Sequence, residues 1–188
     1  VRSINSAYTP QPPARGPVSV LRKGSIPGAL RAALTSPLAY QMLERWEANI
    51  LHVYADKLAG GLPTWCAGRT GWDAKVGTRL SSDQCAAVNK VTLLEYGYAV
   101  LGCANWDYLT AQRLVSLTMF AINVGKDAAC GSRAFWLINA GQVAEGCRAL
   151  AYSPSGTPAW SYAGGKYVQG LANRRRAESA LCAQGAST

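Results

Sequence analysis

Six cysteines constrain the fold of this 188-residue chain more than any other feature of its sequence. They lie far apart, at positions 66, 85, 103, 130, 147 and 182. An even number of widely spaced cysteines predicts three disulfides formed in an oxidising compartment, with buried free thiols as the alternative. Spacing does not choose among the many pairings that six cysteines allow. Our first candidate is Cys130 with Cys147, because this bond would join two neighbouring predicted helices.

Composition argues against several classes of protein. Hydrophobic residues make up 49% of the chain and charged residues 15%, which is enough apolar side chain for a globular core. A single His and the lack of any C-x-x-C motif argue against a zinc site, and we expect no cofactor. The longest apolar stretch, 114–124, is too short to cross a bilayer. We therefore predict a globular domain rather than a membrane span or a zinc module.

The net charge of +9 is unevenly placed. Residues 1–40 contain five basic and no acidic side chains, together with six of the nine prolines. Such a segment does not build its own core. We predict a basic, Pro-rich arm at 1–25 and a globular domain at 26–188. The arm either contacts an anionic cell envelope or serves as a passive strap.

Helix signals and turn residues predict an α+β fold that is mostly helical. Ser36 followed by Pro37 is typical of a helix start, and Ser81 and Thr110 are further capping residues. Predicted helices cover about 37–47, 83–101, 110–124, 132–139, 142–151 and 167–183. Short alternating runs broken by glycines predict a hairpin or a three-stranded sheet at 52–71, near the N-terminal end of the domain. The second helix is expected to pack through one side, which carries Cys85, Val88, Val91, Leu94 and Tyr98.

Carboxylates are the main acid–base groups that this chain offers. His52 is the only histidine, no nucleophile motif lies near it, and we interpret it as a surface residue. Glu47 ends the first predicted helix, and Asp56 follows nine positions later in the first predicted strand. A helix end and a strand that folds back from it can face each other across a groove. Glycosidic cleavage needs two such groups, one carboxyl that donates a proton and one that stays ionised.

The residues around this pair resemble the active-site segment of the phage lysozymes, the endolysins of glycoside hydrolase family 24. The shared features are Glu47, Asp56 and a T-x-x-x-G-x-T strand that begins at Thr64. Downstream, the resemblance continues through the segments 120–125 (FAINVG), 137–141 (LINAG), 162–166 (YAGGK) and 170–175 (GLANRR). It spans about 36–183 in the family's order, and is greatest for the cysteine-containing endolysins of lambdoid phages and prophages.

The resemblance implies a lysozyme-like fold and a set of site residues. Glu47 would be the general acid, Asp56 the second carboxylate, and Thr64 the group that positions the attacking water. Asn123 would bind the sugar, and Arg174 would pair with Glu47 at the substrate site. The implied reaction is hydrolysis of the β-1,4 bond between N-acetylmuramic acid and N-acetylglucosamine in bacterial peptidoglycan, which lyses the host.

Two other functions remain open at this point. A lytic transglycosylase needs only Glu47, and a cationic membrane-active or cell-wall-binding module needs no catalytic residue. The three tryptophans expected either to line a cleft or to pack in the core are Trp65, Trp72 and Trp160. The basic run 174–176 is expected to add to a cationic exterior, and no nucleic-acid motif accompanies it. We expect a monomer that acts in the host periplasm or cell envelope, with any export segment absent from these residues.

Overall fold

The structure, a computed structural model, describes residues 25–47, 49–57 and 60–184. The predicted arm at 1–25 lies almost wholly outside these residues, so its role and the domain boundary remain predictions. The predicted α+β class is confirmed, because helices dominate the described residues and a small antiparallel sheet lies near their N-terminal end.

The elements follow one another in a simple order. The first part contains α1 (Gly28–Ala33), α2 (Pro37–Trp46), β1 (Ile50–Asp56), β2 (Leu62–Cys66), β3 (Arg69–Thr70) and α3 (Ser82–Cys103). A 3₁₀ turn (Trp106–Tyr108) leads to α4 (Ala111–Val124), α5 (Lys126–Cys130), α6 (Arg133–Asn139) and α7 (Val143–Ala149). The chain continues with β4 (Tyr162–Ala163), β5 (Lys166–Tyr167) and α8 (Gln169–Gln184). The sequence predictions missed α1, α5 and the β4–β5 ribbon, which are all short.

Side-chain caps fix where the longer helices begin. The Ser36 hydroxyl accepts a hydrogen bond from the Ala39 amide at 3.3 Å, and Pro37 occupies the first helical position of α2. At α3, Ser81 and Gln84 form a reciprocal capping box in which each side chain binds the other residue's amide. These local signals explain why the predicted starts of α2 and α3 agree with the structure.

The sheet has three antiparallel strands in the order β1-β2-β3. Tyr54 lies opposite Thr64, and Asp56 lies opposite Leu62. Thr64 also lies opposite Thr70 on the other side of β2. Of the two predicted possibilities for 52–71, the structure has the three-stranded sheet.

Helix α4 forms the centre of the helical lobe, as its apolar sequence predicts. Every residue from Arg113 to Ala121 is buried. The helix packs against α1, α2, α3 and α8. It therefore supports both the end of α2 and the last helix from the inside.

The predicted packing side of α3 is partly wrong. Val91 and Tyr98 are 54% and 43% exposed, while the polar residues Asn89 and Thr92 are buried. Asn89 accepts a hydrogen bond from the Ala67 amide, and Thr92 donates to a carbonyl of its own helix, so both buried groups are satisfied. Gly97 lets Leu34 approach the helix closely. Apolar spacing alone cannot reveal a face built from such residues.

All six cysteines form disulfides, which confirms the predicted number of bonds. The pairs are Cys66–Cys85, Cys103–Cys130 and Cys147–Cys182. The expected Cys130–Cys147 pair is wrong. The end of α5 packs against α3, and α7 packs against α8, so each cysteine of the expected pair meets a different partner. Within the described ranges, no helix is long and apolar enough to span a membrane.

Candidate active site

Glu47 lies at the point where α2 ends and the chain turns towards the sheet. Its backbone is extended (φ −114°, ψ 126°), and its amide still donates to the Leu43 carbonyl at 2.9 Å. The side chain is 21% exposed. The carboxylate is therefore fixed at its base by the last turn of the helix and remains accessible to a ligand.

Asp56 and Thr64 point to the same face of the β1–β2 hairpin. Thr64 lies opposite Tyr54, and side chains two residues apart on a strand share a face, so Asp56 is on that face too. Diagonal neighbours on one face of an antiparallel pair lie about 7–8 Å apart, a spacing that one bound molecule can bridge. Both residues are buried, at 8% and 2% exposure. The Thr64 hydroxyl donates to the Leu62 carbonyl at 3.0 Å, which fixes the orientation of its oxygen.

The turn between β2 and β3 brings the sheet against Glu47. Gly68 in this turn has a φ of +78°, and a Cβ atom there would lie 3.4 Å from the Glu47 Oε2 atom. Glycine adopts this conformation without strain and places no side chain against that carboxylate oxygen. The sequence interpretation placed Gly68 within the strand motif and gave it no role. The sequence signal that could have identified this residue is a glycine in a short turn directly after the strand that contains Thr64.

Arg174 of α8 holds the other oxygen of Glu47. Its Nη1 atom donates to the Glu47 Oε1 atom at 2.6 Å, so the ion pair implied by the resemblance is present. The Nη2 atom donates to the Met119 carbonyl at 3.1 Å, and the Nε atom donates to the Glu178 carboxylate at 3.0 Å. Only 5% of the Arg174 side chain is exposed. The guanidinium thus ties the end of α2 to α4 and α8.

The last helix does not present the expected basic surface. Arg175 is fully buried, and its guanidinium lies 2.8 Å from Glu178 and 5.0 Å from the centre of the Phe120 ring. Burial lowers the pKa of Arg175 to about 10 and raises the pKa of Glu178. Of the three consecutive arginines, only Arg176 is exposed. The predicted cationic exterior is therefore wrong for Arg174 and Arg175, because both are buried and pair with the carboxylates of Glu47 and Glu178.

Asn123 lies one helical turn beyond Met119 on α4. Its Oδ1 atom is buried and has no hydrogen-bond partner among the described residues. Residues four apart lie on the same face of a helix, so Asn123 shares a face of α4 with Met119, whose backbone carbonyl accepts a hydrogen bond from Arg174. The structure does not show a direct contact between Asn123 and the other site residues.

The remaining candidates lie in different environments. Trp65 is buried at 8% exposure, and Trp160 packs edge-on against Phe120 with ring centres 5.3 Å apart. Trp72 is 78% exposed, on the loop after β3. His52 is an exposed residue of β1 whose backbone pairs with Arg79. In residues 25–47, 49–57 and 60–184, no three His, Cys, Asp or Glu side chains form a group that could hold a metal ion.

Several solved structures share this fold. A P22 lysozyme mutant matches with a TM-score of 0.66 at 24% identity, covering 79% of this chain and 97% of that one. The endolysin from Escherichia coli O157:H7 phage FAHEc1 matches with a TM-score of 0.66 at 22% identity, covering 81% and 95%. The muramidase domain of SpmX from Asticaccaulis excentricus also has a TM-score of 0.66 at 22% identity, covering 78% and 95%. At these identities the likeness establishes the lysozyme fold.

Comparison of the sequence with protein families gives the identity more directly. No curated protein matches the chain. The family model described as phage lysozyme matches residues 44–178, which include every predicted site residue and the ion pair between α2 and α8. The match covers most of the 188 residues. The chain therefore belongs to the phage lysozyme family and is a glycoside hydrolase.

Proposed function

We propose that this protein is an endolysin that cleaves bacterial peptidoglycan as a muramidase. The bond hydrolysed is the β-1,4 linkage between N-acetylmuramic acid and N-acetylglucosamine. Glu47 acts as the general acid, and Asp56 and Thr64 support the attack of water. Family membership and the fold shared with phage lysozymes, endolysins and a muramidase domain support this proposal.

One observation carries the assignment of Glu47, namely the different surroundings of its two carboxyl oxygens. Oε1 accepts the hydrogen bond from Arg174 at 2.6 Å, whereas Oε2 faces the Gly68 turn of the sheet. The oxygen next to Gly68 is therefore the one that can carry a proton to a leaving sugar oxygen. It points towards the sheet whose hairpin presents Asp56 and Thr64.

The proposed reaction needs one proton donor and one water. Glu47 gives its proton to the glycosidic oxygen as the bond from that oxygen to the anomeric carbon breaks. The ionised Asp56 stabilises positive charge that develops on the sugar ring. The Thr64 hydroxyl orients the water whose oxygen forms the new bond to the anomeric carbon. The hydroxyl group stays on that carbon, and the proton released by the water passes to a carboxylate of the site. Proton exchange with solvent then returns Glu47 to its protonated form.

Two further residues would act on substrate placement. Asn123 is only partly buried, and its side-chain amide would bind an amide or hydroxyl of the glycan, as the family resemblance implies. Arg174 has three protein acceptors already, so it would contribute to substrate binding by holding Glu47.

The three disulfides support action outside the reducing cytoplasm, in the host periplasm or cell envelope. In that compartment the protein would encounter peptidoglycan, which is a solid, anionic polymer. The net charge of +9 favours the approach of a monomeric enzyme to such a surface, with the basic arm as an additional contact. Lysis should then slow as ionic strength rises.

The test compares two variants, each of which replaces one glutamate by glutamine. One lies at the end of α2 and the other within α2. Glu47→Gln should reduce the release of soluble fragments from purified peptidoglycan by about a hundredfold or more, since it removes the proton donor. Glu44→Gln makes the same chemical change at an exposed position one turn earlier and should retain wild-type activity. If Glu47→Gln released fragments at the wild-type rate, the enzymatic role of Glu47 would be wrong. If the wild-type protein itself released none, a cationic binding module would be the better account.

A further inference from the structure

The Glu47 ion pair belongs to a larger group of four charged side chains. Glu178, which is fully buried, accepts hydrogen bonds at its Oε1 atom from both Arg174 (3.0 Å) and Arg175 (2.8 Å). Arg174 in turn binds Glu47. The chain of contacts therefore runs from the buried Glu178 to the carboxylate proposed as the general acid.

The charges of these four groups balance. Two neighbouring guanidiniums that are both buried need anionic partners, because an unpaired buried charge is strongly destabilising. Glu178 and Glu47 supply the two negative charges. On the helices that pack against α8, Glu145 is exposed and the two arginines have separate contacts. Arg113 of α4 donates to the Tyr108 carbonyl, and Arg148 of α7 lies over the Tyr152 ring at 5.5 Å.

The geometry gives Glu178 control over the direction of the Arg174 side chain. A guanidinium is planar and rigid, so fixing two of its nitrogens determines where the third one points. In Arg174, Nε is fixed by Glu178 and Nη2 is fixed by the Met119 carbonyl. The remaining Nη1 atom is thereby aimed at Glu47.

We propose that Glu178 is a positioning residue for the reaction, and that the Glu178–Arg175 pair sets the charge felt by Glu47. Glu178 holds Arg174 on the general acid and cancels the charge of Arg175, which has no direct contact with Glu47. This inference rests on the proposed role of Glu47. It assigns a function to two buried residues of α8 that never meet the substrate.

The two members of the pair should have opposite effects on the pH profile of cleavage. Glu178→Gln keeps the shape of the side chain and removes its negative charge. The group of four charged side chains then becomes net positive and favours the ionised form of Glu47. The alkaline limb of the activity profile should then move to lower pH, by about one unit. Arg175→Met removes a positive charge and should move the same limb to higher pH by a similar amount. The Glu178→Gln/Arg175→Met double variant restores the balance and should return the limb close to its wild-type position.

The experiment measures cleavage of purified peptidoglycan from pH 4 to 9, with near-ultraviolet circular dichroism to confirm that each variant is folded. Glu145→Gln on α7 is the matched control, because it removes one exposed carboxylate outside the group and should leave the profile unchanged. Opposite shifts in the two single variants support the proposal. If Glu178→Gln does not fold, the Arg175→Met variant tests the proposal by itself. A shift of its alkaline limb to higher pH supports the proposal, and an unchanged profile overturns it.

Folded variants with the wild-type profile would overturn the positioning role. That outcome is distinct from failure of the proposed function. If Glu47→Gln is inactive while the α8 variants keep the wild-type profile, Glu47 remains the acid and only the role of Glu178 is wrong. If Glu47→Gln is fully active, the proposed function itself fails.

Discussion

The Nη1 atom of Arg174 lies 2.6 Å from the Oε1 atom of Glu47, although 127 residues separate them in the sequence. The last helix of the fold thus holds the side chain at the end of α2. Correct placement of Glu47 consequently requires the packing of α8 on α4 as well as its own helix. Stability and activity are coupled at this contact.

The first prediction concerns that contact. Arg174→Met should lower the free energy of unfolding by about 3 kcal/mol, because it leaves buried Glu178 and partly buried Glu47 with fewer cationic partners. Denaturant unfolding at neutral pH measures the change. Arg176→Met, at the exposed position two residues later, should change stability by less than about 0.5 kcal/mol. Equal effects of the two substitutions would contradict the buried role of Arg174.

The second prediction concerns the glycine that faces Glu47. Gly68→Ala should cost about 1 kcal/mol of stability because of its positive φ, and should also slow cleavage because its methyl group would lie beside the Glu47 Oε2 atom. Gly60→Ala is the matched control, since Gly60 has a φ of +67° and no atom within 4 Å of an added Cβ. Both variants should lose similar stability, and only Gly68→Ala should lose activity beyond that. Equal rates for the two would show that Gly68 has no role in access to Glu47.

The third prediction concerns the disulfides. Peptide mapping without reduction should find Cys66–Cys85, Cys103–Cys130 and Cys147–Cys182, and thiol titration of the unfolded, unreduced protein should find essentially no free thiol. The Cys66→Ala/Cys85→Ala double variant should lose about 3 kcal/mol, since this bond closes a loop of 19 residues between β2 and α3. A peptide that links positions 130 and 147 would contradict the described packing of α5 and α7.

The fourth prediction concerns the pH dependence of stability at Glu95. Hydrogen bonds from Lys126 and Arg69 lower the pKa of Glu95 below 4.5. A carboxyl whose pKa is lowered by folding stabilises the protein above its unfolded pKa and loses that effect as pH falls through its folded pKa. Glu95→Gln should therefore be slightly less stable than wild type at pH 7, and this difference should shrink as pH falls below 4.5 through the lowered folded pKa of Glu95. The effect is small because Glu95 and both partners are more than one third exposed.

Thermal unfolding at several pH values measures this difference. Glu44→Gln, which changes an exposed carboxylate on α2, is the control. A stability difference at Glu95 that persists unchanged at pH 3 would show that the ion pairs with Lys126 and Arg69 are not its source.

Local signals account for the parts of the fold that were predicted correctly from the sequence. The Ser36–Pro37 and Ser81 starts of α2 and α3 depend on hydrogen bonds within one helical turn, and such bonds can be recognised in a few consecutive residues. The placement of Glu47 and Asp56 was likewise predictable, because it depends only on where one helix ends and on the strand that follows it. The predicted catalytic roles of these residues remain to be tested by the variants described above.

Features that depend on packing between distant segments were not predictable in this way. The partner of Cys130 is decided by contact of α5 with α3, and spacing along the chain carries no information about that contact. The arginines at 174 and 175 look like a surface run in the sequence, but their burial depends on Glu178 and Glu47. Gly68 becomes informative only when the β2–β3 turn is seen next to the Glu47 carboxylate.

The most direct test of muramidase activity is the identity of the reducing end that the enzyme creates. Purified peptidoglycan is digested with wild-type protein and with Glu47→Gln, and the soluble fragments are reduced with borohydride and analysed by mass spectrometry. We predict that wild type yields fragments ending in N-acetylmuramitol and that Glu47→Gln yields almost none. Fragments ending in N-acetylglucosaminitol would contradict the account. So would fragments ending in the anhydro sugar that a transglycosylase produces, which borohydride does not reduce, or an undiminished yield from Glu47→Gln.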